Sequence, residues 1–124
     1  MTIAPIVLVE DEFLIRTALA GYLRLRGGFT VIEAETAPEA LAAMDTQNDI
    51  AILLTDIRIP GGLDGSEIAA LARRKWPDLP VVYISGHATA PDGPAPDGTR
   101  DSHIAKPYEL SAVLERVRSI LGQA

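Results

Sequence analysis

The sequence predicts an α/β fold: a doubly wound, five-stranded parallel sheet covered by helices on both faces. Two patterns predict it. Short apolar runs alternate with segments whose apolar residues recur every three or four positions, as strands joined through crossover helices do. Four of the runs also end on polar side chains: Ile6 to Val9 on Glu10 and Asp11, Ile50 to Thr55 on Asp56, Val81 to Ile84 on Ser85, and Ile104-Ala105 on Lys106-Pro107. Right-handed crossovers between parallel strands bring all these ends to one edge, outside which ligands of open α/β sheets bind.

Each element has its own local reason. Ile6 to Val9 is continuously apolar, as a strand buried on both faces should be. Phe13, Leu14, Ile15, Ala18, Leu19, Tyr22 and Leu23 then mark one face of a helix closed by Gly27-Gly28. Phe29 to Ile32 reads as the second strand. Thr36 followed by Glu39 is a capping-box pattern and Pro38 suits a first turn, so a second helix is expected to run to about Met44. Ile50 to Thr55 is the third strand. Ser66, Ile68, Ala69, Leu71 and Ala72 mark a third helix that stops before Pro77, with Asp64-Gly65 serving the turn and cap. Val81 to Ile84 is the fourth strand and His103 to Ala105 a brief fifth. The last helix carries Leu110, Val113, Leu114, Val117, Ile120 and Leu121 on one face, before Gly122. Tyr22 and Trp76 are expected to be packing residues.

One crossover departs from this pattern. Residues 86–98 hold two copies of Ala-Pro-Asp-Gly, with Pro91, Pro94 and Pro96 close together. Pro-Asp-Gly favours turns, and each proline inside a helix costs roughly 3 kcal/mol. The fourth helix is therefore expected to be short, at most a turn before Pro91, or replaced by a loop.

Composition narrows the function. The 124 residues, 48% hydrophobic and 23% charged, suit one domain spanning 1–124. With no cysteine, a bound cation must take oxygen or imidazole ligands. A net charge of -6 disfavours direct nucleic-acid binding, which relies on Lys and Arg against phosphates; protein partners are expected instead. No apolar run is long enough for a membrane span and no signal peptide is evident, so a cytoplasmic location is expected. Three carboxylates gathered near 4 Å would repel by roughly 4 kcal/mol per pair at an effective dielectric of 20. Lys106 cannot neutralise all three, so either a divalent cation binds or one carboxyl stays protonated. Magnesium suits such an all-oxygen site.

Val-Leu-Val-Glu10-Asp11-Glu, Thr-Asp56-Ile-Arg-Ile-Pro60 with Asp64-Gly65, Ile-Ser85-Gly and Ala-Lys106-Pro107-Tyr together resemble the receiver domain of two-component response regulators, in order and across essentially the whole chain. The resemblance implies the flavodoxin-like strand order 2-1-3-4-5. It implies Mg2+ held by Asp11, Asp56 and the Arg58 backbone carbonyl, with Glu10, where the family often has aspartate, acting through water. It implies Asp56 as the phosphoacceptor, taking a phosphoryl group from a phosphohistidine on a sensor histidine kinase or histidine phosphotransferase, while Lys106 and the Ser85 hydroxyl pair with phosphoryl oxygens. The Lys106-Pro107 bond is commonly cis in the family.

His103 stands where the family usually carries the aromatic residue that turns inward with Ser85. It is either the rotating group, with a titration range that could make switching depend on pH, or a strand-end histidine without that role. Arg58 and His87 border the phosphoryl group in the family and are expected to set its lifetime. Gly61-Gly62-Leu63-Asp64-Gly65 is one residue longer than the commonest family turn. The chain resembles a stand-alone receiver, and one excised from a hybrid kinase would read alike; output is expected through residues 86–100 or another face, toward an unknown protein target. The rival function is a small Mg2+-dependent phosphohydrolase using Asp56 as nucleophile. Such enzymes typically place an acid two residues on, where this chain has Arg58. The protein is thus expected not to be an enzyme beyond accepting and losing its own phosphoryl group.

Overall fold

The computed structural model describes residues 4–59, 63–86, 93–94 and 100–122. Five parallel strands form the sheet: β1 (Ile6–Val9), β2 (Val31–Ala34), β3 (Ile52–Asp56), β4 (Val81–Ser85) and, after a two-residue strand β5 (Gly93–Pro94), β6 (Asp101–Ala105). Their spatial order is β2-β1-β3-β4-β6, with β5 antiparallel on the β6 edge. With β6 as the fifth parallel strand, this is the expected 2-1-3-4-5 arrangement. The helices are α1 (Phe13–Gly27), α2 (Ala37–Asp45), α3 (Gly65–Lys75) and α4 (Leu110–Ile120).

Side-chain alternation sorts the core into two layers. Ile6, Leu8, Ile52, Leu54, Val82, Ile84 and Ile104 face Leu19 and Leu23 of α1 and Val113 and Val117 of α4. Val7, Val9, Leu53, Val81 and Tyr83 face Ala40 and Met44 of α2 and Ile68 and Ala72 of α3. Tyr22 packs against the first layer and Trp76 against the second, where its indole N–H also donates to the Asn48 carbonyl at 3.1 Å.

Several boundaries shift from the sequence expectation. Phe29 is buried without being in β2: Gly28 turns the chain at φ 71°, the Phe29 N–H closes on the Leu23 carbonyl, and the ring enters the core from this helix-ending turn. Ile50 likewise reaches the core from the loop before β3. The capping of α2 is also offset. Thr36 accepts from the Glu39 N–H, but the Glu39 carboxylate accepts from the Glu35 N–H rather than that of Thr36. At α3 the reciprocal box is complete between Asp64 and Glu67, in line with the turn-and-cap reading of Asp64-Gly65, and the helix begins at Gly65, one residue before Ser66.

No described helix lies between β4 and β6. Gly93 and Pro94, expected in a loop, instead pair with His103 and Ser102; proline is tolerated on such an edge because its missing N–H costs no interior ladder bond. The expectations for residues 87–92 and 95–99, and those for Gly61 and Gly62, lie outside the described residues. No described helix is long and apolar enough to cross a membrane.

Gly21 of α1 and Gly28, which ends that helix, should respond oppositely to alanine. Gly21 lies within the helix with open space where a Cβ would stand, whereas Gly28 has positive φ. Urea denaturation should show Gly21→Ala stabilising by about 0.5–1 kcal/mol and Gly28→Ala destabilising by about 1 kcal/mol or more.

Candidate functional site

The strand registers build the site. Val9 stands opposite Thr55, Asp56 opposite Ile84, and Ser85 opposite Ala105, so the residues ending β1, β3, β4 and β6 meet along one edge. One ligand oxygen from each of Glu10, Asp11 and Asp56 falls within 4.8 Å of the others. Glu10 and Asp56 are buried and Asp11 is half-buried. The Lys106 ammonium crosses from beyond β6 to lie 2.6 Å from Asp56 Oδ2 and 3.7 Å from Glu10 Oε2. The Arg58 N–H donates to Asp56 Oδ1 at 3.3 Å, and the Glu12 N–H to Glu10 Oε1 at 3.2 Å.

The backbone beneath Asp56 is tightly held. Its carbonyl accepts from Thr55 Oγ1 at 2.8 Å. Gly65, the first residue of α3, packs so closely that an added Cβ would stand 2.3 Å from that carbonyl oxygen, and its N–H donates to Ile57 O at 2.7 Å. Glycine is therefore required here by close approach, since its φ is not in the left-handed region. Reading Asp64-Gly65 as turn and cap identified the Asp64 cap but missed this contact with the Asp56 backbone.

Electrostatics follow from crowding. Burial pushes the Glu10 carboxyl up to about 7, with Asp56 adding to the rise while the Glu12 N–H and Lys106 oppose it. Burial pulls the Lys106 ammonium down, but its hydrogen bond to Asp56 and the charges of Asp56 and Glu10 outweigh that, and its pKa ends above the ordinary lysine value. Tyr108, beside them, is raised by burial and then by Glu10. Both answers to carboxylate repulsion foreseen from the sequence thus suit the site: protonation at Glu10, or a cation. The donors are all oxygen and the residual charge is negative, which fits a hard divalent ion such as magnesium.

Ser85 ends β4, half-buried, with Gly86 after it. The Lys106–Pro107 peptide is cis. His103 is half-buried, its ring stacked on Tyr83 at 5.2 Å between centroids and 26° between planes. It borders a cavity of about 240 Å³ with Ile57, Ser66 and Asp101. Arg58 lies in the loop after β3. His87 lies outside the described residues. Beside Lys106 a cleft of about 520 Å³ is lined by Ile15 and Ala18 of α1 and by Pro107, Tyr108 and Leu110.

This sheet order is that of receiver domains of two-component signalling. Residues 6–118 match the response regulator receiver domain family, and the chain belongs to it. Over 123 residues it is 31% identical to the response regulator protein FleR of Pseudomonas aeruginosa, covering 97% of this chain and 25% of FleR. Over 117 residues it is 30% identical to the response regulator receiver protein CpdR of Brucella abortus, covering 94% of this chain and 95% of CpdR. The crystal structure of the receiver domain from the hybrid histidine kinase CckA aligns with a TM-score of 0.79 at 32% identity, covering 94% of this chain and 98% of that one. The chain therefore spans a quarter of FleR and nearly all of CpdR. Receiver domains serve two-component signalling by accepting phosphoryl groups.

The raised Glu10 carboxyl sets a pH dependence for the metal-free protein. A carboxyl whose folded pKa lies above its unfolded value stabilises fully below about 4.5, and that contribution is lost as pH rises through about 7. In EDTA, Glu10→Gln should therefore gain stability relative to the parent between pH 5 and pH 8, by on the order of 2 kcal/mol. Paired urea titrations at the two pH values check this; a constant difference would contradict it.

Proposed function

We propose that this chain is the phosphoacceptor of a two-component phosphorelay, with Asp56 as the residue that carries the phosphoryl group. The observation that carries this is the placement of Lys106 at 2.6 Å from Asp56 Oδ2, with Glu10 and Asp11 adjoining. An Asp56 carboxylate oxygen attacks the phosphorus of a partner's phosphohistidine; the P–N bond breaks and the imidazole nitrogen retains the electron pair, taking up a proton. Water later attacks the aspartyl phosphate, releasing inorganic phosphate and restoring the carboxylate. Glu10, Asp11, Asp56 and the Arg58 carbonyl would hold Mg2+, whose charge offsets repulsion between the carboxylates and the incoming phosphoryl oxygens.

The chain's own residues do the rest. Lys106 donates to one phosphoryl oxygen, and the Ser85 hydroxyl to another. Such transfers ask a protein mainly for alignment and charge stabilisation, which the fixed Asp56 backbone and Lys106 provide. Movement of Ser85 and reorientation of His103 out of its stack on Tyr83 form the switch, and Arg58 and His87 tune hydrolysis. The apolar cleft beside Lys106, with Phe13 and Leu14 exposed on α1, suits the approach of a histidine kinase or histidine phosphotransferase. A separate protein receives the output. The match along nearly the whole of CpdR supports reading residues 1–124 as one receiver domain.

Incubation with Mg2+ and acetyl phosphate should give an acid-stable, base-labile phosphoryl adduct seen by intact mass. Asp56→Asn should abolish it, and Lys106→Ala should slow its formation on the order of a hundredfold. Equal labelling of Asp56→Asn would refute the assignment.

A further inference from the structure

Arg16 is a group that the phosphoacceptor chemistry leaves unused, yet it is anchored at three points. Its Nη1 donates to the Glu10 backbone carbonyl at 2.9 Å. Its Nε lies 3.4 Å from Glu33 Oε1 on β2, and its side chain is only 12% exposed. Its guanidinium carbon stands 5.6 Å from the Phe13 ring centre. Glu33 is held in turn by Arg24, whose Nη1 is 3.0 Å from Oε2. A planar guanidinium holds its donors in a fixed fork, so it can serve a carbonyl and a carboxylate in set directions while its face lies against a ring.

The carbonyl that Arg16 grips belongs to the peptide joining Glu10 to Asp11. The orientation of that peptide decides where two consecutive carboxylates leave the backbone, and both must turn toward Asp56. We infer that Arg16 is a positioning residue for the cation site: it ties the Glu10–Asp11 peptide to β2 through Glu33 and so holds both carboxylates where they meet Asp56. This rests on the reading of Glu10, Asp11 and Asp56 as the residues that hold a divalent cation.

The alternatives differ in sign. Arg16 is a positive charge beside an acidic site, so if it acted only through its field, removing it would tighten cation binding. As a positioning residue, its removal weakens binding, because the groups that orient metal ligands typically account for tenfold or more in affinity. A solely structural brace would lower the unfolding midpoint and leave the affinity of the folded protein unchanged.

Isothermal titration with MgCl2 at fixed ionic strength, on the full chain and its Arg16→Met and Arg16→Lys variants, separates these cases. Circular dichroism would establish that each is folded at the titration temperature. Arg16→Met should raise the Mg2+ dissociation constant on the order of tenfold, and Arg16→Lys, which keeps the charge and one donor, by less. An unchanged or lowered constant for Arg16→Met overturns the inference; should that variant not fold, an unchanged constant for Arg16→Lys does so. Absence of Mg2+ binding by the unaltered protein would instead refute the cation-site reading itself.

Discussion

Repulsion among Glu10, Asp11 and Asp56 is the constraint on which the rest of the site depends. Gathering three acids within 4.8 Å works against stability, and Lys106 supplies one positive charge in return. The imbalance leaves the edge anionic, and Asp56 adds to the rise that burial imposes on the Glu10 carboxyl. A site in this condition has a use for positive charge, and a cation can favour binding of a phosphoryl group that the carboxylates alone would repel.

The fold supplies the means of holding such a cluster together. Val7, Val9, Leu53, Leu54, Val81 and Val82 are almost wholly removed from water, and burial of side chains of this size contributes roughly 1.5–3 kcal/mol each. The polar edge is confined to strand ends, where that core does not have to accommodate it. Close backbone packing then fixes Asp56: Thr55 and Gly65 hold its carbonyl, while the main-chain N–H of Arg58 meets its carboxylate. On the other side of the sheet, His103 lies against Tyr83, beside the antiparallel edge formed by Gly93 and Pro94. In chain order this edge strand comes between β4 and β6, within a segment rich in Pro-Asp-Gly turn signals.

Much of this was legible from sequence because it depends on local pattern. Ile6–Val9 reads as an interior strand since both its faces are buried, and the polar residues following the apolar runs converge because parallel strands share a direction. The misread positions depend on tertiary context. Phe29 and Ile50 are as apolar as strand residues but reach the core from turns, and apolarity records burial, not backbone geometry. The edge pairing of Gly93 with His103 is hidden in a segment whose composition signals only turns. Arg16 gave no motif: its bond to a backbone carbonyl six residues earlier exists only once α1 packs beside β1 and β2. The same holds for Gly65, whose need for a bare Cα arises from contact with Asp56.

The proposed chemistry requires a cation at this edge, held by Glu10, Asp11 and Asp56. Anomalous diffraction from crystals soaked in MnCl2 tests it most directly, since manganese takes the same oxygen ligands as magnesium and can be located by element. A single ion should contact carboxylate oxygens of Asp11 and Asp56, with Glu10 beside it. An ion bound elsewhere on the chain, with this edge empty, would contradict it.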